Sequence, residues 1–425
     1  MITGAANRME NRLAAALLIA ALALGIWLRI INPPVLSRSP DEKTYISYVT
    51  SIAQAPVTAP GELARSYNAT PGDWIYPIPL RIGYYYLLWG VMELRHLTPE
   101  QAGVAVSTAS SIVQLLMVAL IGVRYLGKWT AVIAVALLSV SAADLAMARR
   151  VWSDEPNAAA AAIFLFLCAE IAFHNRGRGW FAALWIWSGY FMLLKETAGF
   201  FFGFCIAGLM TRAWWQDRDV RRIAWLALGA VVTAAVSFFV MACLCGGVPA
   251  ALDVIRHNAL AEPGNAYQNE YMTGPWYSIP LELWIIGPFA GTMCAVTFAA
   301  LLSRRESLWN VLKLDRRQQA FAWGAAILIL LVVTSVSLRG TLMDLRYVSL
   351  ILGAWYLMAG LGMTYLLARI RRRFDGQSGN YVAAMVIIVM VGALAFDYST
   401  YRKVYVGQDL DDLDVLHVVT APLGR

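Results

Sequence analysis

Four clusters of ionisable residues stand where apolar runs begin or end, and between them they hold the groups that proton transfer and anion handling require. The first is Ser39-Pro40-Asp41-Glu42-Lys43-Thr44-Tyr45. Its carboxylates suit a general base. They suit a helix start equally well, with Ser39 as N-cap, Pro40 in the first turn and acids favoured by the helix dipole. The second, Arg149-Arg150-Val151-Trp152-Ser153-Asp154-Glu155-Pro156, sets two arginines against two acids, and the third is Lys195-Glu196 inside an apolar stretch. The fourth runs from Arg339 through Asp344 to Arg346 and Tyr347. A charge within a membrane span costs about 2.5–3.5 kcal/mol on insertion scales, so residues kept there are candidates for a site. Acids for proton transfer beside cations for an anion suit group transfer from a lipid phosphate. Departure of that phosphate develops negative charge that positioned Arg and Lys stabilise, and the arginine fork matches phosphate oxygens.

The elements that must position these groups are membrane spans. Of 425 residues 59% are hydrophobic and only 14% charged, and the mean hydropathy is +0.58. That excludes an ordinary soluble domain, a disordered chain and a nucleic-acid binder. An all-α polytopic bundle is predicted, with about 11–13 helices of roughly 20 residues each. The net charge of +7 follows from basic loops at 174–178, 212–222, 304–317 and 369–373, which the positive-inside rule assigns to the cytoplasm. Arg8 and Arg12 place the N-terminus on that side too, and 13–31 reads as a retained first span. Residues 32–80 and 246–280 are then external loops, the transmembrane domain runs over 1–397, and 398–425 form a short polar external tail. One count does not close. Both 32–80 and Asp154 should be external, yet three apolar segments lie between them, so one must fold back or lie in the interface. The five cysteines all fall in apolar runs without metal-ligand spacing and read as small hydrophobes.

In order along the chain these motifs resemble those of the GT-C superfamily of polyprenyl-phosphate-sugar-dependent glycosyltransferases. The likeness is greatest to the branch of protein O-mannosyltransferases and lipid A aminoarabinose transferases. The matching residues are Asp41-Glu42 with Tyr45, Tyr76-Pro77-Ile78-Pro79 before a helix, Arg149-Arg150 with Asp154-Glu155, Lys195-Glu196, Gly274-Pro275-Trp276-Tyr277, and Arg346-Tyr347. The resemblance implies a carboxylate-assisted glycosyltransferase in a bacterial inner membrane, with its site on the periplasmic face. Asp41 would be the base, assisted by Glu42, with Asp154 as a second acid. Lys195, Arg149 or Arg150, Arg346 and Arg81 would meet the donor phosphate. Tyr45, Tyr76, Glu155, Tyr347 and the loop residue His257 would line the substrate. The family places His or Lys before two adjacent prolines where this chain has Tyr76 and an interrupted Pro-Ile-Pro.

The implied partners are a polyprenyl-phosphate-linked sugar donor, a glycolipid, polysaccharide or protein acceptor, and membrane lipid, with no nucleic acid. A divalent metal is left open, because some superfamily members hold one on acids placed like Asp41 and Asp154 and others do not. The competing class is a transporter or flippase of lipid-linked sugars. Such proteins tend to place charges near the bilayer midplane between repeated halves, whereas here the charges stand at helix ends and no repeat is visible.

Overall fold

The computed structural model describes residues 2–33, 35, 38–69, 77–174, 176–261, 269, 273–303, 307–340, 344–374 and 377–407, and every regular element among them is helical. The first span, α1 (Ile2–Ile30), is followed by two shorter helices, α2 (Pro40–Gln54) and α3 (Ala59–Asn68). Next come α4 (Ile82–Arg95), α5 (Pro99–Ile121), the pair α6 (Lys128–Ser139) and α7 (Ala142–Ala148), and α8 (Asp154–Phe173). They lead to α9 (Arg178–Met192), α10 (Ala198–Arg212), α11 (Val220–Leu244) and α12 (Val248–Ala261). After these stand α13 (Ser278–Ile285), α14 (Pro288–Leu302), α15 (Leu308–Leu312) and α16 (Arg316–Arg339). A 3-10 turn, Leu345–Ile351, opens α17 (Leu352–Arg373), and α18 (Gln377–Thr400) ends in a π turn, Tyr401–Val406.

Among the described residues, seven helices are long and apolar enough to cross a membrane, or eight if the bent pair α6–α7 is one span. The chain is a multi-pass membrane protein. Three more of the expected spans, α9, α10 and α14, have 15 residues each, about 22 Å of helix at 1.5 Å per residue. Sequence alone sets several helix starts: Ser39 with Glu42, Thr98 with Gln101 and Asp315 with Gln318 each form a reciprocal capping box. Gly360 brings α17 so close to α6 that a Cβ would stand 2.6 Å from the Thr130 carbonyl oxygen, the small-residue contact typical of membrane helices.

The helix that does not cross is α4. Its first residue follows Arg81, which binds Glu196, and five residues after its end Glu100 binds Arg38, just ahead of α2. Both ends of α4 therefore lie at the same end of the bundle, which closes the count between α1 and α8. Residues 398–407, expected as the start of a tail, instead finish α18 and its π turn, with Tyr401 and Tyr405 buried. The acidic run of the tail lies outside the described residues.

The bend of 58° between α6 and α7 frees carbonyls that a continuous helix would use, and in a membrane such groups need internal partners. Arg29 of α1 supplies them. Its fully buried guanidinium donates to the carbonyls of Leu138 at 3.1 Å and Ser139 at 3.3 Å, and to Gly25 one turn back at 2.8 Å. It also binds Ser111 Oγ at 2.5 Å and the Asp144 carboxylate. Arg29→Met should cost about 3–5 kcal/mol by leaving a buried carboxylate unpaired. Thermal unfolding in detergent checks this, and adding Asp144→Asn should restore part of the loss.

Candidate active site

Between α7 and α8 the chain leaves the helical path for Arg149–Ser153, and the helix beside it holds that stretch in place. Ser107 and Thr108 of α5 donate to the carbonyls of Trp152 at 3.3 Å and Ala148 at 3.0 Å. Gly103 of α5 has no side chain to obstruct Val151, which occupies the space a Cβ would need. Three consecutive residues then present an aromatic face, a hydroxyl and a carboxylate, and each engages a cation from a different part of the sequence.

Trp152 carries Arg346, whose guanidinium carbon stands 4.8 Å from its ring centroid, with Arg150 at 5.9 Å. Ser153 Oγ lies 2.9 Å from Tyr45 Oη and accepts from Arg81 at 3.3 Å. Asp154 accepts from Lys195 Nζ at 2.5 Å, and that ammonium sits 4.8 Å from the Tyr347 ring centroid. Burial pushes the Lys195 pKa below the usual lysine range, and the Asp154 carboxylate offsets part of that shift.

Arg346 is aimed by its neighbour. Asp344 caps the 3-10 turn, accepting from the Arg346 backbone N–H at 2.8 Å and from Nε at 3.0 Å. This leaves Nη1 to reach Asp41 at 3.1 Å. Asp41 is 21% exposed at its side chain, and its Oδ2 accepts from Arg346. Glu42, by contrast, is sealed. It caps α2 and accepts from Arg38 at 3.0 Å, Arg150 at 3.1 Å and the Val151 N–H at 2.8 Å.

Arg81 joins the first cluster to the third. It grips both oxygens of Glu196, at 2.9 and 2.5 Å, and donates to Tyr45 Oη. Partial desolvation opposes ionisation of Glu196, but the Arg81 guanidinium overrides it and holds the carboxyl down at about 2. Beside Tyr347, an apolar slot of 120 Å³ opens between α10 and α16, lined by Thr197, Phe201, Tyr347 and Leu350 with Arg339 among them.

Comparison with known proteins bears on this arrangement. A sequence profile of the dolichyl-phosphate-mannose-protein mannosyltransferase family matches residues 79–241. That stretch includes Arg81, Arg150, Asp154 and Lys195. The archaeal oligosaccharyltransferase AglB from Archaeoglobus fulgidus, solved with an inhibitory peptide and a dolichol-phosphate, superimposes with a TM-score of 0.59 at 12% identity. The match covers 92% of this chain and 56% of that one. The A. fulgidus oligosaccharyltransferase in its apo form gives 0.59 at 12% identity, over 91% and 55%. ArnT from Cupriavidus metallidurans in the apo state gives 0.48 at 16% identity, over 93% and 73%. No curated protein matches the sequence. The fold is GT-C. This chain spans 56% of the length of AglB.

Within the GT-C bundle, Asp41, Asp154, Lys195, Arg346, Arg81, Arg150 and Tyr347 come together around Trp152–Asp154. Arg149 donates to the Tyr405 carbonyl at 2.5 Å and so ties the end of α18 to the segment. Tyr45, expected to touch substrate, is buried at 2% exposure, so it braces Arg81 and Ser153 from beneath. Burial also pushes its phenol pKa up. Glu155 is fully buried, with neither carboxyl oxygen hydrogen-bonded among the described residues. His257, expected in a loop, lies on α12 with its ring 4.8 Å from the ring centroid of Tyr67 on α3. Tyr76 lies outside the described residues. No three His, Cys, Asp or Glu among the described residues are grouped to hold a metal; Asp41 and Asp154 each face a basic side chain. Trp152, Ser153, Asp344 and Glu196 were visible in the motifs only as neighbours of the candidates.

The Arg81–Glu196 pair predicts an acid-limb dependence. The folded carboxyl titrates at about 2, below its free value of about 4.3. Its stabilisation is therefore present above that free value and lost as pH falls toward 2. Because the Glu196 side chain is 42% exposed, screening keeps the effect small. Glu196→Gln should flatten the fall in unfolding temperature across this window, read by thermal denaturation in detergent.

Proposed function

We propose that this protein is an integral-membrane glycosyltransferase that moves a sugar from a polyprenyl-phosphate carrier to an acceptor hydroxyl on the non-cytoplasmic face. The observation that carries the reading is Asp41. It is an accessible carboxylate held by one guanidinium contact at 3.1 Å, beside a cluster of cations that opens toward an apolar slot. The matched mannosyltransferase profile and the dolichol-phosphate bound to AglB support a lipid-linked donor.

In this reading the acceptor oxygen attacks the anomeric carbon while the bond from that carbon to the phosphate oxygen breaks. Asp41 takes the hydroxyl proton. The phosphate leaves on its lipid, and its negative charge is met by Arg346 and Arg339, with Lys195 close by as a fixed positive charge. The lipid tail enters the slot between α10 and α16. Basic loops at the opposite end of the bundle support a site outside the cytoplasm, and Asp154 acts by holding Lys195 in place. The reading covers a hexosyl or pentosyl donor and a glycolipid, polysaccharide or protein acceptor.

The test begins with the lipid-linked sugar that accumulates in cells lacking the protein, which is then supplied as donor to the purified enzyme. Asp41→Asn should cut turnover about 10²–10⁴-fold, the range for loss of a general base, with the unfolding temperature unchanged. Turnover equal to the parent would remove Asp41 as base, and undiminished movement of the lipid-linked sugar across vesicles would point to a flippase instead.

A further inference from the structure

The end of the bundle opposite the site carries a second charged cluster that the reaction does not use. The last turn of α8 draws in four guanidinium groups. Arg124 and Arg176 both bind the Glu170 carboxylate, which also accepts from Tyr125 Oη at 2.6 Å. Arg222 donates to the Ile171 carbonyl at 2.6 Å. Arg212 donates to the Ala172 carbonyl at 2.8 Å, and its guanidinium carbon stands 4.6 Å from the Phe173 ring centroid. The negative end of the helix dipole accounts for cations at these carbonyls. It does not account for what lies beside them.

Beside them is an apolar cavity of 540 Å³ between α8, α10 and α16, with Phe173, Phe204, Arg212, Trp215, Phe321 and Trp323 in its wall. Two glycines keep it open. Gly208 of α10 and Gly324 of α16 both line it, and a Cβ at either would meet nothing within 4 Å. Small residues usually let membrane helices close on one another; these two face a void. Trp215 is 75% exposed and Trp323 37%, as suits indoles at the level of the headgroups. The loops flanking the mouth, 174–178, 212–222 and 313–317, hold nine Lys and Arg against three Asp. A greasy cleft with arginine at its mouth and a surplus of positive charge around it selects a molecule with a hydrocarbon chain and an anionic head.

We infer that this cleft is a binding site for an anionic phospholipid of the leaflet at the arginine-rich end. One acyl chain lies in the void between Gly208 and Gly324, and the headgroup phosphate meets Arg212. Phe204, shared with the slot at the site end, forms the boundary between the two. The lipid would act as a wedge that fixes the spacing of α10 and α16, the two helices flanking the proposed carrier slot.

The full-length protein, delipidated in detergent, is offered mixtures of phosphatidylglycerol and phosphatidylcholine and, separately, undecaprenyl phosphate, and bound lipid is counted by native mass spectrometry. The expected result is one retained phosphatidylglycerol, preferred about tenfold or more over phosphatidylcholine. Arg212→Gln should bring that preference to within about threefold. Gly208→Leu and Gly324→Leu place side chains in empty space, so they should fold normally and lower retention about tenfold. Equal retention of the two lipids by the parent, or full phosphatidylglycerol retention in both glycine variants, overturns the proposal. Loss of undecaprenyl phosphate instead, with phosphatidylglycerol retained, would assign the cleft to the carrier's tail and also overturn it.

Discussion

Everything at the site end depends on three residues in a row, Trp152 and Ser153 outside a helix and Asp154 at the start of α8, being held in place. Each presents a different surface to a cation: a ring to Arg346, a hydroxyl to Arg81 and a carboxylate to Lys195. A charge removed from water is tolerable only when paired and hydrogen-bonded. Here the pairings bring α2, α4, the α9–α10 turn and the 3-10 turn ahead of α17 to one place. The same contacts that satisfy buried charges thus set the spacing of the groups. Moving Trp152–Asp154 by one helical step would shift all three cations together.

That segment can be irregular because the helix before it is broken, and the break persists because Arg29 pairs with it. The guanidinium reaches two carbonyls freed at the bend and the Asp144 carboxylate of α7. On the other side, α5 pins the segment through Ser107 and Thr108. A broken span in lipid requires both arrangements, since no water is at hand to satisfy the freed groups. The ion pair at the bend and the charged pairs at the site are therefore successive steps of one construction, running from α1 through α6 and α7 to α8.

Much of this was legible in the sequence where charge interrupts hydropathy. Asp41, Asp154, Lys195 and Arg346 stand out against apolar neighbours, and their positions at helix ends already suggested one shared face. The parity of spans between α1 and α8 also required one segment not to cross, and only packing identified it as α4. What the sequence could not convey was partnership. Arg29 reads as a cation at the edge of the first span, and only packing joins it to Asp144, 115 residues on. Glu42 looks like the twin of Asp41, yet one step around the helix turns it inward to Arg150 and the Val151 N–H. Tyr45 reads as a residue that lines the substrate and is instead buried under Arg81.

The pairings also rank the cations for the role proposed for them. Every base in the cluster already meets an acid or an acceptor, so an arriving phosphate binds by exchanging partners, and the cost of the exchange differs from one base to the next. Lys195 is buried against Asp154 at 2.5 Å, and separating them would strand two charges in a site of low dielectric. Arg81 holds Glu196 through two nitrogens, the geometry that is hardest to displace. Arg346 differs, because Asp344 keeps it oriented through Nε and the backbone while a single nitrogen reaches Asp41. Turning that nitrogen to a phosphate costs one bond and releases the carboxylate that the proposed mechanism needs as its base. The physics of pairing thus favours Arg346, with exposed Arg339 at the slot, as the first contact for the donor.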